Sequence, residues 1–148
     1  MNLHNYTDFV KAVTSDESNN STDFEKRYKE LSNTTVQGSN INIPLLITAA
    51  FGLSAESGEF TEVPKKILLQ GKPLDKDSVF HMKRELGDII FYWINACRAL
   101  NLDPNAVIQE NINKLEARYP GGKFDVQHSE NRKENDLWWE IWAMSTPR

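Results

Sequence analysis

Near the start of the chain, Leu3, Tyr6, Phe9, Val10 and Val13 recur at three- and four-residue steps, which places them on one face of a helix over 2–13. The polar stretch 14–22 breaks this pattern. Phe24, Tyr28 and Leu31 resume a helical period over 23–33, with Thr22 or Asp23 in position to cap it. Stretch 33–42, rich in Ser, Thr, Asn and Gly, reads as a connection. Asn42 followed by Pro44 reads as a helix start, because proline's fixed φ and missing N–H suit a first turn. From Pro44 to about Gln70 runs a long segment, apolar nearly all round through Leu45, Leu46, Ile47, Ala49, Ala50, Phe51 and Leu53, then polar on one side. A helix apolar on most faces belongs in a bundle interior or a subunit interface. Pro64, with no N–H to donate, is expected to kink or end it.

A loop over 70–77, holding Gly71 and Pro73, leads into the cleanest 3.6-residue pattern of the chain: Val79, Met82, Leu86, Ile89, Ile90, Trp93, Ile94, Cys97 and Leu100 predict a helix over 78–100. Asp103 and Pro104 make a cap and first-turn pair for a further helix carrying Val107, Ile108, Ile112 and Leu115, stopping near Tyr119 at Pro120-Gly121-Gly122. After a polar tail over 123–135, Leu137, Trp138, Trp139, Ile141 and Trp142 form an apolar cluster that reads as a short helix packing on this subunit or a neighbour. No strand alternation and no internal repeat is present. The expected fold is all-α, a helical bundle with a long acidic helix hairpin. It is expected as a single domain over 1–148, since a chain of this length suits one core rather than two.

Charge narrows the possible partners. A formal net charge of −4 and the absence of a Lys/Arg run provide no basic field for a nucleic acid polymer. The single cysteine, Cys97, cannot form an internal disulfide, and its apolar neighbours mark it as a buried small residue. No run approaches the roughly 20 apolar residues of a membrane helix and no N-terminal stretch resembles a signal peptide, so a cytoplasmic protein without a membrane partner is expected.

Candidate chemistry lies in four acids. Glu56 and Glu59 stand three apart in the long segment, and Glu85 and Asp88 stand three apart in the next helix. Each pair therefore projects to one helix face, and antiparallel packing of the two helices would gather all four. Clustered carboxylates without a cation repel and move their pKa values upward, so the group calls for positive charge. Hard oxygen donors suit Mg²⁺ or Mn²⁺ rather than zinc. One such pair alone is usually a solvated face; two pairs on successive helices are what single these residues out. Glu62 continues the first ladder but, near Pro64, reads as surface. Ala55, Gly58 and Gly87 beside the acids would let two helices and a phosphate ligand approach closely, and His81 reads as standing alone.

Glu56-Ser-Gly-Glu59 followed by Glu85-Leu-Gly-Asp88 resembles the ExxE and ExxD signature of the MazG-like, all-α NTP pyrophosphatases. The stretch 84–93 resembles that family's second acidic helix, and 111–124 is similar to its closing Lys-Leu-x-x-Arg-Tyr-Pro segment, so the motif core covers about 43–124. The resemblance implies Mg²⁺, with Mn²⁺ as a possible substitute, held by Glu56, Glu59, Glu85 and Asp88 on the phosphates of a nucleoside triphosphate. It implies water attack at the α-phosphorus, release of pyrophosphate, and Glu59 or Glu56 as general base. Lys114 and Arg118, four apart on one helix face, suit phosphate oxygens; Tyr92, one turn after Asp88, would stack on the sugar; Asn111 or Asn113 would contact sugar or base. By the same resemblance the substrate is a deoxynucleotide such as dGTP or dCTP, with non-standard nucleotides next. The assembly is a homodimer or homotetramer with the long helix at an interface, in the cytoplasm, or the host's if phage-encoded. The first forty residues and the Trp-rich tail match none of these motifs. A non-catalytic nucleotide-binding or protein-interaction module is the competing reading; a di-iron bundle is not, because it needs Glu-x-x-His pairs and none occurs.

Overall fold

The computed structural model describes residues 3–36 and 38–131, so the apolar cluster at 137–142 lies outside the described residues. Two compact units are defined, residues 1–102 and 103–148.

In the first unit α1 spans Leu3–Val13, as its apolar spacing predicts. The polar stretch after it is not wholly irregular, for a single turn, α2, occupies Asp16–Asn19. The next helix, α3, covers Ser21–Ser32 and starts earlier than expected, because Asn20 rather than Thr22 or Asp23 caps it. The Asn20 side chain accepts from the Thr22 N–H at 2.8 Å and the Asp23 N–H at 3.4 Å, which places both of the expected caps inside the first turn. The connection that follows contains two paired strands, β1 (Thr35–Val36) and β2 (Ser39–Asn40), antiparallel with Thr35 opposite Asn40. Two residues are too few to show a period of two, so the sequence carried no strand signal there.

Helix α4 runs from Ile43 to Gln70. Asn42 caps it by accepting from the Leu45 N–H at 3.0 Å, with Pro44 in the first turn as expected. Pro64 does not end the helix. It removes one backbone bond, whereas Val63 beside it is buried and Glu62 pairs with Lys65 and Lys66 across it. The helix stops instead at Gly71, whose φ of 70° is the left-handed conformation that favours glycine, and the Lys72 N–H returns to the Lys66 carbonyl at 3.1 Å.

Helix α5 covers Lys76–Ala99, two residues earlier than the apolar pattern indicates, because Asp75 caps it by accepting from the Ser78 N–H at 2.8 Å. Helices α4 and α5 form an antiparallel hairpin whose open end is tied by the Asn42 N–H to the Ala99 carbonyl (2.9 Å) and by Asn101 Nδ2 to the Asn40 carbonyl (2.6 Å). Ala49, Gly52, Val63, Cys97 and Ala99 are buried on these helices. Most of these side chains are small, so the helices can approach closely and the core between them is thin. Cys97 is buried and free, as its apolar neighbours predicted. The apolar stripe of α5 is only partly covered: Met82, Ile89, Trp93 and Ile94 are half-buried, while Val79, Leu86 and Ile90 are exposed, as is Phe51 on α4.

In the second unit α6 spans Pro104–Arg118, capped by Asp103, which accepts from the Asn105 N–H at 3.0 Å. It stops at Tyr119, and Gly122, at a φ of 65°, donates its N–H to the Tyr119 carbonyl. The tail read as merely polar holds a short helix, α7 (Val126–Glu130), capped by Asp125 through the His128 N–H at 3.1 Å. Among the described residues the fold is all-α apart from the two-stranded pair, and no helix is long and apolar enough to cross a membrane.

Candidate functional site

Along α4 the positions 52, 56 and 59 advance by one turn each; along α5 the positions 92, 88, 85 and 81 do the same in reverse. Because the hairpin is antiparallel, these two ladders oppose each other. Ligand atoms of Glu56, Glu85 and Asp88 lie within 4.8 Å of one another, and so do those of Glu59, His81 and Glu85. Of the four acids, Glu56 and Asp88 gather with Glu85 in one group and Glu59 with Glu85 in the other, so Glu85 belongs to both. It is also the buried one, 7% exposed, with Glu56 half-buried and Glu59 and Asp88 at the exposed mouth. A buried carboxylate at the meeting point of three others is unfavourable unless something positive joins it.

The electrostatics bear this out at Glu56. Its pKa is raised above the ordinary 4.5, first by burial, then by the Glu59 charge, a hydrogen bond shared with Glu85, and the charges of Asp88 and Glu85. A divalent cation among these carboxylate oxygens would offset that repulsion. The donor set, hard carboxylate oxygens around a buried centre, fits Mg²⁺ or Mn²⁺.

Three readings of this region need correction. His81 does not stand alone: its Nε2 lies 3.0 Å from Glu85 Oε1. The spacing of four between 81 and 85 was the available signal, since residues one turn apart share a face. Gly58 and Gly87 are not where the helices approach closely, for a Cβ added at either would meet nothing within 4 Å. That role falls to Gly52, where a Cβ would overlap Cγ, Cδ1 and Cε1 of Tyr92. The reason is register: positions 52 and 92 face each other across the hairpin, whereas positions 58 and 87 do not.

Tyr92 thus lies against α4, half-buried, one turn from Asp88, with the Phe91 ring edge-on at 5.1 Å. Glu62 is surface, as expected. Lys65 and Lys66 engage it, the latter at 3.2 Å, and hold its carboxyl below the usual range. Asn111, Asn113, Lys114 and Arg118 all stand on α6, in the second unit. Lys114 and Arg118 are half-buried one turn apart, whereas Asn111 and Asn113 are exposed, and the Asn113 side-chain oxygen accepts from Gln109 Nε2 at 2.9 Å.

The chain is 35% identical over 77 residues to the Gene 37 protein of Mycobacterium phage L5, a match covering 48% of this chain and 63% of that relative. The chain thus spans less than two thirds of the relative's length. No solved structure matches. The model of the MazG nucleotide pyrophosphohydrolase domain matches residues 47–122, which is half of the 148 residues and takes in all four acids of the hairpin, Tyr92, Lys114 and Arg118. The chain belongs to the MazG nucleotide pyrophosphohydrolase domain family.

Proposed function

We propose that this protein is a divalent-metal-dependent hydrolase that converts a nucleoside triphosphate to its monophosphate and pyrophosphate. The observation that carries the reading is the buried Glu85 carboxylate shared by two groups of donors on facing helices. Glu56, Glu59, Glu85 and Asp88 would hold Mg²⁺, or Mn²⁺ in its place. Bound there, the ion would offset phosphate charge and make a nearby water more acidic. A carboxylate oxygen of Glu59 or Glu56 takes the water's proton as its oxygen bonds to the α-phosphorus, and the bond from that phosphorus to the bridging oxygen breaks to release pyrophosphate. Glu59 is exposed at the mouth, where it meets solvent; Glu56 is half-buried, and burial with the neighbouring carboxylates raises its pKa.

Lys114 and Arg118 would bind phosphate oxygens and Tyr92 would stack on the sugar, with Asn111 or Asn113 on sugar or base. The substrate proposed is a deoxynucleotide such as dGTP or dCTP, and the role is control of the nucleotide pool in the cytoplasm. The acidic chain, at −4, is unsuited to polymeric nucleic acid. The exposed apolar side chains Phe51, Val79, Leu86 and Ile90 on the hairpin support a homodimer or homotetramer that covers them. A monomer in size-exclusion chromatography with light scattering would argue against that assembly.

The test of the activity is pyrophosphate release from a panel of canonical and modified NTPs and dNTPs, with Mg²⁺, with Mn²⁺ and with EDTA. Metal-dependent turnover of one or two members supports the reading and names the base. Tight nucleotide binding with no release over hours overturns it in favour of a binding module.

A further inference from the structure

Resting on the metal site just proposed, we infer that His81 is a ligand in its own right: it gives the Glu59–Glu85 side of the cluster a nitrogen donor, so that this side prefers Mn²⁺ to Mg²⁺. The two donor groups that share Glu85 differ in kind. Glu56, Glu85 and Asp88 offer oxygen alone, whereas Glu59, His81 and Glu85 offer two oxygens and an imidazole nitrogen. Two carboxylates and a neutral imidazole match the charge of one divalent ion.

The spacing suits an ion as well as a hydrogen bond. Six-coordinate ions with arms of about 2.1 Å place adjacent donors about 3.0 Å apart and opposite donors about 4.2 Å apart. His81 Nε2 and Glu85 Oε1 are separated by 3.0 Å, and a Glu59 oxygen lies within 4.8 Å of a ring nitrogen of His81 and of a Glu85 oxygen. The imidazole therefore has two carboxylates beside it. Its one proton satisfies them less completely than a cation that all three groups bind. His81 is also half-exposed, with its side chain 51% accessible, so an ion can reach it from solvent while Glu85 anchors the inner end. Nitrogen donors raise affinity for transition ions, whereas Mg²⁺ favours oxygen.

The experiment uses the full chain without nucleotide. Mn²⁺ is added, and electron spin echo envelope modulation reads any ¹⁴N coupled to the ion; competition titration gives the preference for Mn²⁺ over Mg²⁺. Wild type, His81→Ala and His81→Gln are compared, the glutamine retaining an N–H that can still donate to Glu85. The expected result is imidazole ¹⁴N modulation in the wild type, its loss in both variants, and an equal fall in the Mn²⁺ preference of both. Modulation absent from the wild type, or a preference retained by His81→Gln, overturns the inference and leaves His81 as a hydrogen-bond donor that orients Glu85. A wild type that binds Mn²⁺ and Mg²⁺ and releases pyrophosphate without ¹⁴N modulation loses this inference alone. A wild type that binds neither ion loses the metal site as well.

Discussion

Replacing Gly52 by alanine tests the register of the hairpin directly, because three helix glycines are predicted to respond with different signs. Alanine in a helix interior gains about 1 kcal/mol over glycine from backbone entropy and propensity. At Gly58 and Gly87 an added Cβ meets nothing within 4 Å, so each substitution should stabilise by roughly that amount. At Gly52 the same methyl group would overlap three ring carbons of Tyr92. Overpacking of this kind costs about 1–3 kcal/mol, which cancels or outweighs the gain. Gly52→Ala should therefore fall below Gly58→Ala by about 1–3 kcal/mol, a difference of several degrees in melting temperature at about 2–4 °C per kcal/mol for a chain of this size. Thermal and urea denaturation at one fixed protein concentration would read it. A double-mutant cycle with Tyr92→Ala isolates the cause, since the penalty should vanish once the ring is gone. Equal stabilisation by Gly52→Ala and Gly58→Ala, or a penalty that survives Tyr92→Ala, would refute the register argued for the site.

Three further outcomes are expected. Glu85→Gln and Asp88→Asn should each lower pyrophosphate release by more than the roughly 10–100-fold that loss of an outer-shell partner costs a metal site, with the helical circular dichroism signal unchanged; full activity in either removes that residue from the site. In EDTA, Glu56 should make the metal-free fold less stable as pH rises. Its folded pKa lies above the ordinary 4.5, so its contribution is complete below the unfolded value and is lost as pH climbs through the raised one. Glu56→Gln should flatten that decline in denaturant titrations carried upward in pH from below the ordinary 4.5, and an unchanged slope would contradict the raised pKa. Asp75→Ala should cost about 1 kcal/mol through loss of the α5 cap, while Asp75→Asn should cost little at neutral pH because asparagine caps equally well. The Asp75 carboxyl is held below its usual range, first by the Ser78 N–H, so its stabilisation is present above the unfolded pKa and lost as pH falls through the folded one, and acid titration of wild type against Asp75→Asn would show it.

Much of this architecture is written in local patterns. The apolar period of α5, the Asn42-Pro44 and Asp103-Pro104 starts, and the two acidic pairs each depend on residues within a turn or two of one another, and helix geometry alone converts such spacing into a shared face. The approach of Glu56 to Glu85 and Asp88, and of Glu59 to Glu85, was legible for that reason: each pair shares one face of its helix, and the two helices are neighbours along the chain. Local competition misled the reading elsewhere. Asn20 rather than Thr22 or Asp23 accepts the first-turn N–H groups, and Pro64, expected to kink or end the helix, does not end it.

What spacing along one helix does not contain is the register and rotation of that helix against its neighbour. His81 joins the acids, Gly52 rather than Gly58 or Gly87 receives the Tyr92 ring, and Leu86 and Ile90 remain exposed within an otherwise regular apolar stripe. Each outcome depends on which positions of α4 and α5 oppose one another. Displacing the hairpin by one residue would turn different side chains inward while leaving every intrahelical pattern intact, so the site's fine composition follows from the packing of the two helices, and its acidic character from their sequences.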